Sequence, residues 1–237
     1  MRGNPEISVV VPALNEAKYI HNLFDGLDAQ GFRNFETIVV DGGSTDATRE
    51  IARRRGARVI VEKKEGIGRA RNAGAAVARG RILVFLDADT KPDAMLLDVY
   101  RRALSTGSAI AATGPIMPLE KSNLLVRLGF LFVSVLFVKA SILLGRSSVV
   151  GLNFAVRKSS FDKARGFNPR YVTYEDWDLS LRLRKLGRIA YLGDATVRTS
   201  ARRVKAWGIY GFFAFHVGNM LRYNMGREPK RHYEPVR

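Results

Sequence analysis

Short apolar runs alternate with helically spaced segments through the first half of the chain. Four runs of mostly aliphatic residues are predicted as strands, at residues 7–11, 36–40, 58–61 and 81–86. Helices are predicted at residues 15–30, 46–55, 67–78 and 93–104. This alternation predicts an α/β fold with a mostly parallel sheet and right-handed crossovers.

Acidic side chains follow three of the predicted strands. Glu16 comes after the first strand, Asp41 directly follows the second, and Asp87 and Asp89 follow the fourth. In open parallel sheets, ligands bind beyond the carboxyl ends of the strands. We therefore expect these carboxylates to converge on one ligand site.

The segment Asp87-Ala88-Asp89 places two carboxylates at an i, i+2 spacing where a strand ends. Carboxylates held that close repel each other unless a cation lies beside them. A Mg²⁺ or Mn²⁺ ion that also contacts a diphosphate would supply that cation and offset charge on the leaving group. A helix N-cap is the alternative, because a helix is predicted shortly afterwards.

Two further motifs suit a nucleotide. Glu16 and Asp41 can accept hydrogen bonds from ribose hydroxyls or base N–H groups, although Asp41-Gly42-Gly43-Ser44 is also typical of a tight turn. The glycine-rich segment 66–74 places Arg71 in the first turns of a predicted helix, where amides and a guanidinium can bind phosphate. Close helix packing explains these glycines equally well.

Three carboxylates lie together in Tyr174-Glu175-Asp176-Trp177-Asp178, at the start of a helix predicted for residues 178–186. An acid beside a tryptophan in a cleft can act as a general base toward an acceptor hydroxyl. Acidic residues at a helix start also stabilise the helix dipole. The local sequence leaves both interpretations open.

Composition narrows the kind of metal site. With 46% hydrophobic and 10% aromatic residues, the chain can bury a substantial core. It has no cysteine, which excludes disulfides, thiolate catalysis and thiolate metal sites. The three histidines, His21, His216 and His232, are too scattered to indicate zinc. A bound metal is therefore expected to be oxygen-coordinated Mg²⁺ or Mn²⁺.

Positive charge is concentrated in the second half of the chain. The net charge is +17, and residues 121–237 carry 22 Lys or Arg but 7 Asp or Glu, against 17 and 15 in residues 1–120. Such an asymmetry indicates an anionic partner, either a membrane surface or a nucleic acid.

Residues 124–144 are the most hydrophobic stretch, and their 21 residues could span a bilayer. A single crossing would place Asp87 and Asp89 on one side and Asp176 on the other. The stretch is therefore predicted to lie in the membrane interface, to be re-entrant, or to pack on protein. Because the N-terminus lacks the apolar core of a signal peptide, we expect the cytoplasmic face of the membrane.

Helical spacing supports an interfacial orientation. Arg127, Ser134 and Ser141 recur every seven residues on one narrow stripe of an otherwise apolar segment. A second, aromatic segment covers residues 207–221. Basic residues flank it: Arg198, Arg202, Arg203 and Lys205 before it, and Arg222, Arg227, Lys230 and Arg231 after it. This pattern predicts a peripheral or monotopic protein on an anionic membrane surface. A buried core helix or a dimer interface is the alternative.

Together these motifs resemble the family 2 glycosyltransferases of the GT-A fold, which are inverting enzymes. The matching elements are Val9-Val10-Val11-Pro12-Ala13-Leu14-Asn15-Glu16, Val39-Val40-Asp41-Gly42-Gly43-Ser44-Thr45-Asp46, Gly68 to Gly74, Phe85-Leu86-Asp87-Ala88-Asp89 and Glu175-Asp176-Trp177-Asp178. They occur in the family's order across residues 7–186, about three quarters of the chain.

The resemblance implies a role for each motif. It implies nucleotide-sugar contacts from Pro12, Ala13, Glu16, Asp41, Arg71, Asp87 and Ala88, and metal coordination by Asp89 and Asp87. It implies that Asp176 is the catalytic base, with Glu175 as the alternative. Residues 199–207 resemble a degenerate Gln-x-x-Arg-Trp element without its Gln and with its Trp displaced. Acceptor contacts are accordingly expected from Trp177, Arg202, Arg203 and Trp207.

The resulting hypothesis is a metal-dependent transferase that moves mannose from GDP-mannose to a lipid-linked acceptor such as a polyprenyl phosphate. A UDP-sugar donor is the alternative within the family. A non-catalytic nucleotide-sugar-binding relative and a basic nucleic-acid-binding protein are the other classes, and the second leaves the strand-end carboxylates unexplained, so no nucleic acid is expected. The predicted divisions are a nucleotide-sugar half (1–120), an interfacial insertion (121–147), a catalytic-base half (148–200) and a membrane-associating segment (201–237).

Overall fold

The computed structural model describes residues 3–122, 124–132, 135, 138–143 and 149–225. Its strands are β1 (Ile7–Ala13), β2 (Phe35–Asp41), β3 (Arg58–Val61), β4 (Ile82–Leu86), β5 (Thr90–Pro92), β6 (Ala109–Thr113), β7 (Ile116–Pro118), β8 (Asn153–Arg157), β9 (Arg188–Tyr191) and β10 (Val197–Thr199). Seven strands form a central sheet in the order β3-β2-β1-β4-β8-β6-β9, and β5, β10 and β7 form a small second sheet.

Parallel pairing dominates the central sheet. Strand β8 runs antiparallel to its neighbours β4 and β6, and the other adjacent pairs are parallel. The helices that connect and flank these strands are α1 (Ile20–Asp28), α2 (Thr48–Arg54), α3 (Ile67–Val77), α4 (Leu96–Ser105), α5 (Leu124–Leu131), α6 (Val138–Leu143), α7 (Lys158–Lys163), α8 (Glu175–Arg184) and α9 (Arg202–Asn224). The predicted α/β fold with a mostly parallel sheet is therefore confirmed.

Apolar side chains cover both faces of the central sheet. In β1, Val9 and Val11 belong to one core cluster, while Val10 belongs to the cluster on the opposite face. Strand β2 divides in the same way, with Val39 on the first face and Val40 on the second. Burial on both faces explains why these strands read as continuous apolar runs instead of alternating patterns.

Strand β1 is longer than the sequence predicts. The predicted strand ends at residue 11, before Pro12, but pairing with β2 continues through Pro12 to Ala13. Pairing between β1 and β4 ends earlier, at Val10 opposite Phe85. Pro12, which has no N–H to donate, thus lies where the strand is paired on one side.

Several predicted helix starts are displaced. Helix α1 starts at Ile20 instead of residue 15, and α2 starts at Thr48 instead of residue 46. The segment after Asp89 forms β5, which pairs with β10, and the next helix starts at Leu96 instead of residue 93. The helix predicted from residue 178 starts at Glu175, which is ion-paired with Arg71.

The hydrophobic stretch at residues 124–144 contains α5 and α6. Ser134 and Leu144 of the predicted interfacial segment, and Arg227, Lys230 and Arg231 of the second basic cluster, lie outside the described residues. Among the helices that the structure does describe, none combines the length and the apolar character needed to cross a bilayer.

Candidate active site

The loops after β1 and β2 are tied to each other at the carboxyl edge of the sheet. Asn15 adopts a left-handed backbone conformation with φ 54°. Its side-chain oxygen accepts from the backbone N–H of Thr45 at 2.8 Å, and its own N–H donates to Ser44 Oγ at 2.9 Å. The next N–H, of Glu16, donates to Thr48 Oγ1 at 2.8 Å. These bonds fix the Glu16 carboxylate above the end of the sheet.

Asp41 is fully buried at the end of β2, opposite Ala13 of β1. Its Oδ2 accepts from the N–H groups of Gly43 and Ser44 at 2.9 and 3.0 Å, which is the turn that the sequence allowed. Its Oδ1 is buried and has no hydrogen-bond partner. A buried carboxylate oxygen without a donor is costly, so this atom is suited to accept from a ligand N–H or O–H.

Helix α3 holds Arg71 against the sheet. A Cβ at Gly74 would lie 2.4 Å from Val10 Cγ1 and 3.0 Å from Val40 Cγ2, so the glycine permits close packing of α3 on β1 and β2. The Arg71 side chain is 2% exposed, and its guanidinium carbon lies 5.4 Å from the centre of the Phe167 ring. Close helix packing was one of the two explanations that the sequence allowed for the glycine-rich segment, and Gly74 has that role. The same packing buries Arg71.

The Arg71 guanidinium joins carboxylates from two distant parts of the chain. Nη2 donates to Asp87 Oδ1 at 2.9 Å, and Nη1 donates to Glu175 Oε1 at 2.7 Å. Gly151 lies directly against it, since a Cβ there would be 2.5 Å from Nη1. A buried arginine needs such partners, because the unpaired charge would be strongly destabilising.

Glu175 and Asp176 occupy different environments at the start of α8. Glu175 is buried, and burial together with the charge of Asp176 raises its pKa while Arg71 opposes the shift. Asp176 is half-buried, and its Oδ2 accepts from the Gly151 N–H at 3.0 Å. Tyr174, just before the helix, has a left-handed backbone with φ 69°. This turn directs Glu175 inward and leaves Asp176 more accessible to a substrate.

Asp89 lies among charged groups from three parts of the chain. Burial and the neighbouring Asp87 raise the pKa of Asp89 to about 7. Arg202, the first residue of α9, lies with Nη2 3.3 Å from Asp89 Oδ2. The same guanidinium forms a two-pronged ion pair with Glu16, in which Nη1 donates to Oε2 at 3.0 Å and Nη2 donates to Oε1. Sequence reasoning missed this contact, because 186 residues separate Glu16 from Arg202 and no local pattern indicates it.

The remaining predicted site residues border this centre. Ala13 and Ala88 are buried, and Pro12 is partly exposed beside them. Trp177 lies against Tyr174 with ring centres 5.9 Å apart, on the side of Asp176. Trp207 instead packs on Phe215, at 5.3 Å, across the break that Gly208 makes in α9. Arg203 follows Arg202 and is half-buried.

The second half of α9 packs on the loop and helix that carry Asp176. Tyr223 donates its hydroxyl to Asp178 Oδ1 at 3.2 Å, and its ring lies 6.2 Å from that of Tyr174. Helix α9 therefore contacts both the Asp89 carboxylate and the neighbourhood of Asp176. The chain segment after residue 200 completes the site.

The oxygen ligands at this site fit a hard divalent cation. In the described part of the chain, no group of three or more His, Cys, Asp or Glu residues is clustered closely enough to form a metal site by itself. Asp87 and Asp89 supply two carboxylates, and burial together with the charge of Asp87 raises the pKa of Asp89. A cation that takes its other ligands from a bound diphosphate and water would favour the ionised form of both carboxylates.

Comparisons with known proteins agree on the family. A sequence profile described as "Glycosyl transferase family 2" matches residues 8–164. Glycosyltransferase AglE of Haloferax volcanii is 36% identical over 118 residues, which cover 46% of this chain and 37% of that protein. The amylovoran biosynthesis glycosyltransferase AmsB of Erwinia amylovora is 30% identical over 196 residues, covering 76% of this chain and 64% of that protein. The chain thus spans less than two thirds of each of these relatives.

Solved structures share the fold. Mannosyltransferase PcManGT from Pyrobaculum calidifontis, in complex with GDP-Man and Mn²⁺, gives a TM-score of 0.67 at 22% identity, covering 91% of this chain and 65% of that chain. TarS of S. aureus, residues 1–349 in complex with UDP-GlcNAc, gives 0.68 at 21% identity, covering 82% and 58%. At such identities the likeness concerns the fold, and it confirms the predicted GT-A architecture.

Proposed function

The chain belongs to the family 2 glycosyltransferases, and from this premise we propose that it moves a hexose from a nucleotide-sugar donor to a lipid-linked acceptor with the help of Mn²⁺ or Mg²⁺. One observation carries the proposal. The buried Arg71 joins Asp87, beside the expected metal ligand Asp89, to Glu175, beside the expected base Asp176. The two halves of the expected site are thereby held at one edge of the sheet.

On the donor side, each residue has a distinct task. The free Oδ1 of Asp41 accepts from the nucleoside, and Pro12 and Ala13 form the apolar floor beside it. Asp89, with Asp87, would hold the metal, which balances negative charge on the diphosphate when bound. Arg71 holds the Asp87 carboxylate in position through its guanidinium.

On the acceptor side, Asp176 is the general base. The acceptor hydroxyl oxygen bonds to the anomeric carbon while the bond from that carbon to the diphosphate oxygen breaks. The hydroxyl proton passes to the Asp176 carboxylate, and the bonding electron pair leaves with the nucleoside diphosphate. A single displacement of this kind inverts the anomeric configuration. Glu175 is already engaged by Arg71, so it positions the site instead of taking the proton.

For the donor we propose GDP-mannose. The observation in its favour is the similarity to PcManGT, whose structure contains GDP-Man and Mn²⁺ and which covers 91% of this chain. A UDP-sugar is the second candidate, favoured by the similarity to TarS bound to UDP-GlcNAc. Product analysis with GDP-mannose, UDP-glucose and UDP-N-acetylglucosamine tests the choice, and turnover of a UDP-sugar alone would overturn it.

We propose that the acceptor is reached at an anionic membrane surface on the cytoplasmic side. The support is an exposed apolar face on α5 and the residue after it, formed by Leu124, Leu128, Leu131 and Phe132, which are 70%, 51%, 43% and 54% exposed. Their spacing of four, three and one residues places them on one side of a helix. A groove of about 600 Å³ beside this face has a net basic lining, in which Lys121, Arg127 and Arg198 outnumber the single acid Glu120. Apolar area next to basic groups suits an anionic lipid surface.

Vesicle sedimentation tests the membrane proposal. We expect the parent protein to bind phosphatidylglycerol vesicles. Changing both Leu128 and Phe132 to Ser should lower the affinity for these vesicles at least about tenfold, because two exposed apolar side chains are lost. Leu186→Ser is the matched control, since Leu186 is 45% exposed elsewhere on the surface. Equal binding by the double variant and the control would overturn the assignment of this face.

A further inference from the structure

The geometry points to Arg202 as a resident cation of the donor site, which a divalent metal must displace from Asp89 before the donor can bind. This inference rests on the proposed metal-dependent function. It concerns a residue outside the part of the chain that the family profile matches, which ends at residue 164. It makes Arg202 a competitor of the metal, whereas the sequence suggested an acceptor contact.

The contacts of Arg202 are those of a cation between carboxylates. Its guanidinium pairs with both oxygens of Glu16 and lies 3.3 Å from Asp89 Oδ2. Its guanidinium carbon also lies 4.7 Å from the centre of the Tyr19 ring. The side chains of Arg202, Glu16 and Asp89 are only 15%, 15% and 16% exposed, so water screens their interaction weakly.

A divalent cation on Asp89 and the Arg202 guanidinium would compete for the same carboxylate, because the guanidinium already lies 3.3 Å from Asp89 Oδ2. Their positive charges would also repel each other at contact distance. This repulsion favours an arrangement in which the guanidinium turns away from Asp89 when a metal binds. A nearby diphosphate offers it a new partner with bidentate geometry.

The backbone around Arg202 is anchored, so the side chain has to make this movement. The Glu120 carboxylate accepts from Ser200 Oγ at 2.7 Å and from the Ala201 N–H at 3.0 Å. This caps the start of α9 directly before Arg202. The guanidinium sits at the end of a long side chain and can exchange partners without moving the helix.

Three consequences follow for metal binding. Mn²⁺ alone should bind weakly to the parent protein, because it has to displace the guanidinium. A nucleoside diphosphate should raise Mn²⁺ affinity, because it accepts the displaced group. Removing the guanidinium should strengthen binding of Mn²⁺ alone and weaken the cooperation between metal and nucleotide.

Electron paramagnetic resonance titration of free Mn²⁺ measures these consequences without any turnover. We expect Arg202→Ala to bind Mn²⁺ alone about tenfold more tightly than the parent, within the usual range of coupling between ligands. Arg202→Lys should fall between them, because an ammonium cannot pair with both Glu16 oxygens. Lys205→Ala is the control, since it removes the same charge from an exposed position of the same helix. Adding GDP or UDP should raise Mn²⁺ affinity several-fold more in the parent than in Arg202→Ala.

The outcomes are distinguishable. If Arg202→Ala binds Mn²⁺ alone no more tightly than the parent and the Lys205→Ala control, the competition is refuted while metal-dependent donor binding stands. If neither the parent nor any variant binds Mn²⁺ with or without nucleotide, the proposed function fails first. If thermal melting shows Arg202→Ala to be unfolded, Arg202→Lys decides, and affinity equal to that of the parent would overturn the inference.

Discussion

Arg71 on α3 and Glu175 at the start of α8 form a buried ion pair, with Nη1 and Oε1 2.7 Å apart although the two residues are 104 positions apart in the sequence. The other amino group of the same guanidinium holds Asp87. The metal side and the base side of the proposed site are therefore linked through one side chain. A substitution of Glu175 is therefore expected to alter the position of the Asp87 carboxylate through Arg71, and the reverse is expected for a substitution of Asp87.

Replacing Arg71 tests this link directly. Arg71→Met keeps the length of the side chain but leaves the carboxylates of Glu175 and Asp87 without their counter-charge. We expect a loss of about 3–5 kcal/mol in the free energy of unfolding, the usual cost of breaking a buried ion pair. Urea denaturation followed by tryptophan fluorescence measures it. Arg69→Met, on the same helix but outside the ion pair, should cost far less, and equal losses would refute the role of Arg71.

Any side chain at position 151 is predicted to destabilise the protein, because Gly151 lies directly against Arg71. In Gly151→Ala the new Cβ would lie 2.5 Å from Nη1 and 2.8 Å from Cζ, and the guanidinium cannot retreat from its two carboxylates. We expect a loss of about 1–3 kcal/mol in stability from this overpacking, together with reduced transfer. Gly193→Ala is the control, since nothing lies within 4 Å of a Cβ there. Matching melting temperatures for the two variants would contradict the packing described.

The adjacent acids Glu175 and Asp176 are expected to have different functions. Asp176→Asn is expected to lower kcat by about 10²–10⁴, the range for loss of a general base, while donor affinity stays close to that of the parent. Glu175→Gln should lower the melting temperature but retain measurable transfer, because Glu175 is buried against Arg71. Steady-state kinetics measures kcat, calorimetry measures donor affinity, and thermal denaturation measures the melting temperature. A stable Glu175→Gln without activity beside an active Asp176→Asn would reverse the assignment.

Glu36 should contribute a pH-dependent part of the stability. Burial alone would raise its pKa, but hydrogen bonds from the N–H and guanidinium of Arg79 and from the Ser8 hydroxyl outweigh burial and lower the pKa below 4.5. A lowered folded-state pKa means that the ionised group stabilises the fold above about pH 4.5, and that this stabilisation is lost as the pH falls through the lowered value. The melting-temperature difference between the parent and Glu36→Gln should therefore be largest near pH 7 and shrink below pH 4.5. A constant difference across that range would contradict it.

The sequence predicts the strands of the first half because burial on both faces of a parallel sheet leaves continuous apolar runs. Placing Asp41, Asp87 and Asp89 at strand ends then follows from the rule that ligands bind at that edge. The end of β1 is predicted too early, because the effect of Pro12 depends on which neighbouring strand is still paired at that position. The three-residue strands β5, β7 and β10 are too short to produce a periodic pattern.

Long-range pairs were beyond sequence reasoning. Nothing near Glu16 or Arg202 indicates that they meet, and the contact of Gly151 with Arg71 depends on the tertiary arrangement. The segment 201–237 is predicted from the sequence to associate with a membrane, and this stays a prediction. The sequence does not indicate that the described part of α9 reaches Asp89 at one end and Asp178 at the other.

Calorimetric titration of GDP-mannose and UDP-sugars, with and without Mn²⁺, into the parent protein and Asp89→Ala measures whether donor binding depends on a metal held by Asp89. We expect one donor to bind the parent in the presence of Mn²⁺. Its affinity should fall at least about tenfold, or about 1.4 kcal/mol, when either the metal or the Asp89 carboxylate is removed. Donor binding of equal strength with and without Mn²⁺, and in Asp89→Ala, would contradict it.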